Sequence, residues 1–118
     1  WLAEVGLNEQ ICTVRANRPA LARLAARLVT EAEPYYQSAL AGLGDLPLRS
    51  AWAIATAHGV YREIGVKVLM AGEKAWDTRQ GTTRTEKLAL VISGAKQAMA
   101  SRKASWPPRD PHLWQRPR

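Results

Sequence analysis

The sequence predicts an all-α protein of moderately long antiparallel helices. Apolar residues recur at helical spacing, no strand-like alternation survives beyond a few residues, and the periodic segments are rich in Ala and Leu and joined by short connections. The 118 residues suit one core, and 47% hydrophobic with 23% charged residues is a globular composition, too apolar for a disordered chain. The longest apolar runs, such as Leu88 to Ile92, fall far short of the roughly 20 residues that cross a bilayer, and nothing reads as a signal peptide. Cys12 is the only cysteine; it excludes an internal disulfide and a multi-cysteine zinc site and fits a reducing, cytoplasmic setting. The chain opens on Trp1 and not Met, so it is expected to begin inside a longer protein.

Residues 1 to 16 give a short apolar opening and a polar connection, with no firm element. From Pro19 a helix is predicted, because Leu21, Leu24, Ala25, Leu28 and Val29 form one stripe on a 3.6-residue repeat and Pro19 suits the first turn. The stripe continues through Ala32, Tyr36, Ala39, Leu40 and Leu43, with Pro34 expected to kink or split the helix and Gly42 and Gly44 to end it. Pro47 opens a second helix over Leu48 to Ala71, with Gly72 as its C-terminal cap and Ile54, Ala57, Tyr61, Ile64 and Val68 as its inner stripe. Gly59 and Gly65 inside it each cost about 1 kcal/mol against Ala and are expected to mark a crowded face. Thr83 and Glu86 have the spacing of a capping box, which starts a third helix running from Arg84 to about Lys103 with Leu88, Val91, Ile92, Ala95 and Met99 inward. Beyond Ser105, Pro107, Pro108, Pro111 and Pro117 forbid a helix, and an extended or disordered tail is expected.

Charge concentrates in that tail. Residues 101 to 118 carry Arg102, Lys103, Arg109, Arg116 and Arg118 against Asp110 alone, whereas the first hundred residues carry twelve bases and nine acids. Such a balance suits anionic partners in general. A small basic helical binding module would gather its bases on one exposed helix face; here they are spread, which disfavours nucleic acid. Trp106, Trp114 and the tail bases suit a peripheral contact with an anionic membrane, against the simpler alternative of a flexible terminus.

Catalytic constellations are sparse. Asp45, Asp77 and Asp110 stand far apart, Glu31 and Glu33 point to different sides of a helix, and no two carboxylates on one predicted helix have the i, i+3 or i+4 spacing that would aim them together at a metal. No metal ligand and no catalytic residue is assigned. His58 has no second histidine nearby and reads as packed or solvated, His112 lies in the tail, and Cys12 has no activating partner.

Three strings then carry a resemblance: Tyr35-Tyr36-Gln37-Ser38-Ala39; Leu46-Pro47-Leu48-Arg49-Ser50-Ala51-Trp52-Ala53-Ile54-Ala55-Thr56-Ala57; and Tyr61-Arg62-Glu63-Ile64-Gly65. Ala75-Trp76-Asp77-Thr78-Arg79, Glu86-Lys87-Leu88 and the ending around Leu113-Trp114-Gln115 continue it in order. Together they resemble the C-terminal part of the squalene/phytoene synthase family, in its bacterial phytoene-forming branch. The resemblance implies part of the all-α isoprenoid-synthase fold (class I terpenoid synthase) over residues 1 to 104, with a Pro-rich basic tail over 105 to 118. It implies a prenyltransferase joining two geranylgeranyl diphosphates head to head through a cyclopropyl diphosphate, with a squalene-type synthase as the alternative. The family's Mg²⁺, or Mn²⁺ in its place, is held by two Asp-rich motifs that this chain lacks, so the fragment alone is expected to be inactive. Tyr61 and Arg79 match family residues near the diphosphate and are the implied substrate-binding pair. Such roles fit their chemistry, since a guanidinium grips diphosphate oxygens in a fork and a tyrosine offers a hydroxyl or a ring face to a cation. Read from its stripe alone, Tyr61 is a core aromatic, and Arg79 from its connection alone is a solvated charge.

Overall fold

The computed structural model describes residues 1–11 and 14–115, so the readings of Cys12, Arg116, Pro117 and Arg118 lie outside the described residues. Every regular element among the described residues is helical. Three helices dominate: α1 (Arg18–Ala41), α2 (Leu48–Ala71) and α3 (Arg84–Ala100). Short 3-10 turns cover Ala3–Val5, Arg15–Asn17, Gly42–Asp45, Gly72–Trp76 and Pro111–Trp114.

Local signals set most of the boundaries. The carbonyl of Pro47 accepts the Ala51 N–H at 2.9 Å, and Gly72, at φ +54°, takes the left-handed conformation that ends α2 without a Cβ penalty. The capping box of α3 is formed: Glu86 N–H donates to Thr83 Oγ1 at 3.3 Å, and Thr83 N–H donates to Glu86 Oε2 at 2.7 Å. α3 stops at Ala100, three residues short of the expected end, and residues 101–103 continue as a turn. Pro34 does not split α1, which runs unbroken through it. The carbonyl that loses its partner belongs to Thr30, an exposed residue where water can replace the missing N–H.

The chain forms two compact units, one of residues 1–30 and 64–81, the other of residues 31–63 and 82–118. In the first, Leu7 and Ala75 are buried and the Val29 methyls lie 3.6 Å from the position a Cβ would take at Gly65, an ordinary contact. Gly65 is therefore not crowded, contrary to the sequence expectation. In the second, a core of Leu43, Ala51, Ala55 and Ala98 is flanked by Leu40 and Leu46.

The inner stripes of α2 and α3 need correction. Ile54 and Tyr61 on α2, and Leu88, Ile92 and Met99 on α3, are more than half exposed, while Ala51 and Ala55 on α2 and Gly94, Ala98 and Ser101 at α3 are buried. The reason is size: residues with little or no side chain let two backbones approach, and the bulky apolar residues are turned out of the seam. A Cβ on Gly94 would sit 2.5 Å from Thr56 Oγ1 and 2.9 Å from Thr56 N. One on Gly59 would sit 3.0 Å from Leu90 Cδ2, so Gly59 does lie on a tight face, against α3. Trp52 Nε1–H crosses the same seam to the Val91 carbonyl at 2.8 Å.

The tail also departs from expectation. Residues 104–110 form no regular element, in keeping with an extended chain, but the segment then makes the turn Pro111–Trp114 and buries Leu113. Asp110 accepts the His112 N–H at 3.1 Å, and the Tyr35 hydroxyl donates to the Gln115 carbonyl at 3.2 Å. Proline forbids a long helix here but pre-sets φ for a single turn.

Candidate functional site

Arg79 lies on the connection after α2, in the first unit, and the neighbouring side chains brace that connection. Ala75, within it, is buried. Gln80 Nε2 donates back to the carbonyls of Thr78 at 3.1 Å and Ala75 at 3.3 Å, and Lys67 Nζ donates to the Gly81 carbonyl at 3.0 Å. Asp77 is held by the Arg18 guanidinium from the first turn of α1. That hydrogen bond, with the nearby charges of Arg18, Arg15 and Lys74, keeps the Asp77 carboxyl below the ordinary range, so it stays ionised and paired. Arg79 itself is exposed, and among the described residues no hydrogen bond or ion pair holds its guanidinium. The result is a stiffened loop on which the one nearby carboxylate of the Trp-Asp-Thr-Arg string is already engaged, leaving Arg79 available to an anion.

Tyr61 lies in the second unit, on α2, with 65% of its surface exposed. Its stripe-based reading as a core aromatic therefore fails within this unit. The α2 backbone on either side is fixed against α1: Arg62 Nε reaches both Glu33 carboxylate oxygens at 2.9 and 3.0 Å, and Gln37 Nε2 donates to Glu33 Oε1 at 2.9 Å. These contacts hold Glu33 below the ordinary carboxylate range, Arg62 first and Gln37 second. One turn earlier, His58 Nε2–H donates to the Tyr36 carbonyl at 3.0 Å, and its ring meets Tyr36 edge-on at 5.2 Å. Of the two readings the sequence left open, packed or solvated, His58 takes the packed one. Tyr61 shares its side of α2 with two apolar residues, exposed Ile54 and half-buried Ala57.

No group of three or more His, Cys, Asp or Glu able to hold a metal ion is gathered among the described residues, so the metal implied by the resemblance finds no ligand set in them. Sequence reasoning missed Arg18 as the partner of Asp77, 59 positions away, and missed Gly94 as the tightest point of the helix seam. Neither leaves a local signature.

These features define a helical protein with an exposed arginine on a braced connection and an exposed tyrosine on α2. A squalene/phytoene synthase family model matches residues 1–88, and the chain belongs to that family. Over 117 residues it is 61% identical to a 15-cis-phytoene synthase of Pantoea ananas, 58% to one of Enterobacter agglomerans and 52% to a phytoene synthase of Pseudescherichia vulneris. Each alignment takes in 99% of this chain but only 38 to 40% of the relative, so the chain spans about two fifths of their length. No solved structure matches it.

Proposed function

We propose that this chain is the C-terminal portion of a phytoene synthase, a cytoplasmic prenyltransferase that joins two geranylgeranyl diphosphates head to head through prephytoene diphosphate, an early step of carotenoid synthesis. The observation that carries the reading is the 52 to 61% identity to three phytoene synthases over nearly the whole chain, which favours the forty-carbon product over a squalene-type reaction. Residues 1–104 belong to the synthase domain and residues 105–118 form its basic tail. The apolar side chains left open in each unit, Leu28, Leu69 and Met70 in one and Ile54, Leu88 and Ile92 in the other, support part of a larger enzyme over a self-sufficient binding module.

In this reading Arg79 grips diphosphate oxygens, its loop held in place by Arg18–Asp77 and by Gln80. Tyr61 presents its ring or hydroxyl to the carbocation side of the reaction, where the rest of the enzyme must cover its exposed face to keep water away. Family enzymes are generally metal-dependent; Mg²⁺ or Mn²⁺, held by residues outside this chain, supplies neutralisation of the departing diphosphate.

Arg79→Ala in the full-length enzyme tests the proposal. Loss of a charge-assisted contact worth about 1.5–3 kcal/mol raises KM for geranylgeranyl diphosphate at least about ten-fold, with an unchanged melting curve. Unchanged KM and turnover would remove Arg79 from the site. In the same assay residues 1–118 alone make no phytoene, and measurable product from them would overturn the metal assignment.

A further inference from the structure

Tyr61 stands at one end of an uncharged strip on α2. At about 100° per residue around the helix axis, Ser50, Ile54 and Ala57 all fall within roughly 40° of Tyr61 and follow one another at about one-turn intervals. α3 meets α2 on the far side, through Thr56 and Gly59, and α1 meets it on the flank, through His58 and Arg62. Those contacts leave Ser50, Ile54 and Tyr61 exposed, with Ala57 half-buried between the two larger side chains. From Ser50 to Tyr61 the helix carries no Asp, Glu, Lys or Arg, whereas Arg49 precedes the stretch and Arg62, Glu63 and Lys67 follow it. Toward the C-terminus the same side continues with Ile64 and Val68, but both are half-buried and the charges interrupt the run. The open, uncharged part of this side therefore extends from Tyr61 back to Ser50, three turns or about 17 Å.

We propose that Ser50 is a determinant of prenyl length: its small side chain leaves room at the far end of the strip for the fourth isoprene unit of a geranylgeranyl chain, which lies along Ile54 and Ala57 with its reacting end at Tyr61. The inference deepens the phytoene synthase reading and rests on it. The occupant is the hydrocarbon of the substrate because the strip begins at the tyrosine of the reacting centre, carries no ion that a hydrocarbon would have to strip of water, and dips at Ala57 and Ser50, where a flexible chain can settle. In an extended chain, the five carbons that distinguish geranylgeranyl from farnesyl diphosphate fall at about the level of Ser50. Bulk placed there excludes the longer chain by volume and leaves the shorter one its full set of contacts.

The test uses the full-length enzyme, with KM for geranylgeranyl diphosphate and the inhibition constant of farnesyl diphosphate measured against it. Ser50→Phe raises the first at least about ten-fold and leaves the second within about two-fold. Ser50→Leu shifts their ratio in the same direction by a smaller factor, and serves as the test if the phenylalanine variant does not fold. Ala57→Leu, one turn from Tyr61, raises both constants alike. An unchanged ratio in Ser50 variants that melt like wild type overturns the proposal. A lowered melting temperature with both constants raised equally also overturns it, since a further helix of the enzyme and not the prenyl chain then covers this side. Wild-type enzyme that makes no phytoene defeats the enzymatic reading, whereas one that makes phytoene while its Ser50 variants keep the wild-type ratio defeats the length proposal alone.

Discussion

Within the second unit, the two sides of α2 and α3 follow opposite rules. In the seam, Ala51, Ala55, Gly94 and Ala98 bury almost no side-chain volume, and adhesion comes from close backbones and one indole hydrogen bond. On the open side, Ile54, Tyr61, Leu88, Ile92 and Met99 offer bulk to solvent. The contrast teaches that burial between α2 and α3 is governed by how near the two helices can come, while bulk is buried elsewhere in the unit, at Leu43 and Leu113. It also gives the open side a consistent purpose in the proposed enzyme, as the lining of an apolar chamber or the seat of further helices.

The largest effect that would break this comparison is Gly94→Val. Its Cβ meets backbone atoms of Thr56, which cannot swing aside as a side-chain tip can, so the helices must separate; denaturant unfolding of the full-length protein shows a loss of about 3 kcal/mol. Gly59→Ala is the control, because Leu90 Cδ2 is a flexible end and the gain in helix propensity of about 1 kcal/mol offsets the contact.

An intermediate effect sharpens the comparison from the other side. Leu88→Ser with Ile92→Ser leaves the stability of residues 1–118 within about 0.5 kcal/mol and reduces their self-association in sedimentation, because both side chains are exposed there. In the full-length enzyme, where the proposal covers them, the same pair costs about 2 kcal/mol or more.

The smallest effect is electrostatic. Glu33, held down by Arg62, is ionised in the fold at pH values where the unfolded chain begins to take up protons. Its stabilisation is complete above the ordinary carboxylate range and is lost as pH falls through the lowered value. More than a third of its side chain is exposed, so Glu33→Gln changes stability at neutral pH by only a few tenths of a kcal/mol, and acid titration of unfolding shows the difference disappearing at low pH.

Helix ends are legible in the sequence because their causes are local: Pro47, Gly72 and the Thr83–Glu86 box act within four residues of themselves. Helix faces are less so. A periodic stripe reports which residues are apolar, whereas Ala and Gly, which decide the seam, contribute little to any stripe. Tail order is hidden for a similar reason, since Gln115 finds its partner at Tyr35, eighty positions back, and the burial of Leu113 has no local cause. Of the candidate site, Tyr61 and Arg79 are reached through family resemblance, and no spacing rule points to them. The Arg18 brace on the Arg79 loop joins positions too remote for any local pattern to reveal.

The bond from Trp52 to the Val91 carbonyl has a mechanical consequence. Thr56 lies one turn on from Trp52 and nests over Gly94, about one turn on from Val91, so the axial register of the two helices is fixed at two points. Sliding either helix by one 5.4 Å turn would break the bond and drive Thr56 into a larger neighbour. The pair can hinge apart, but it resists shear.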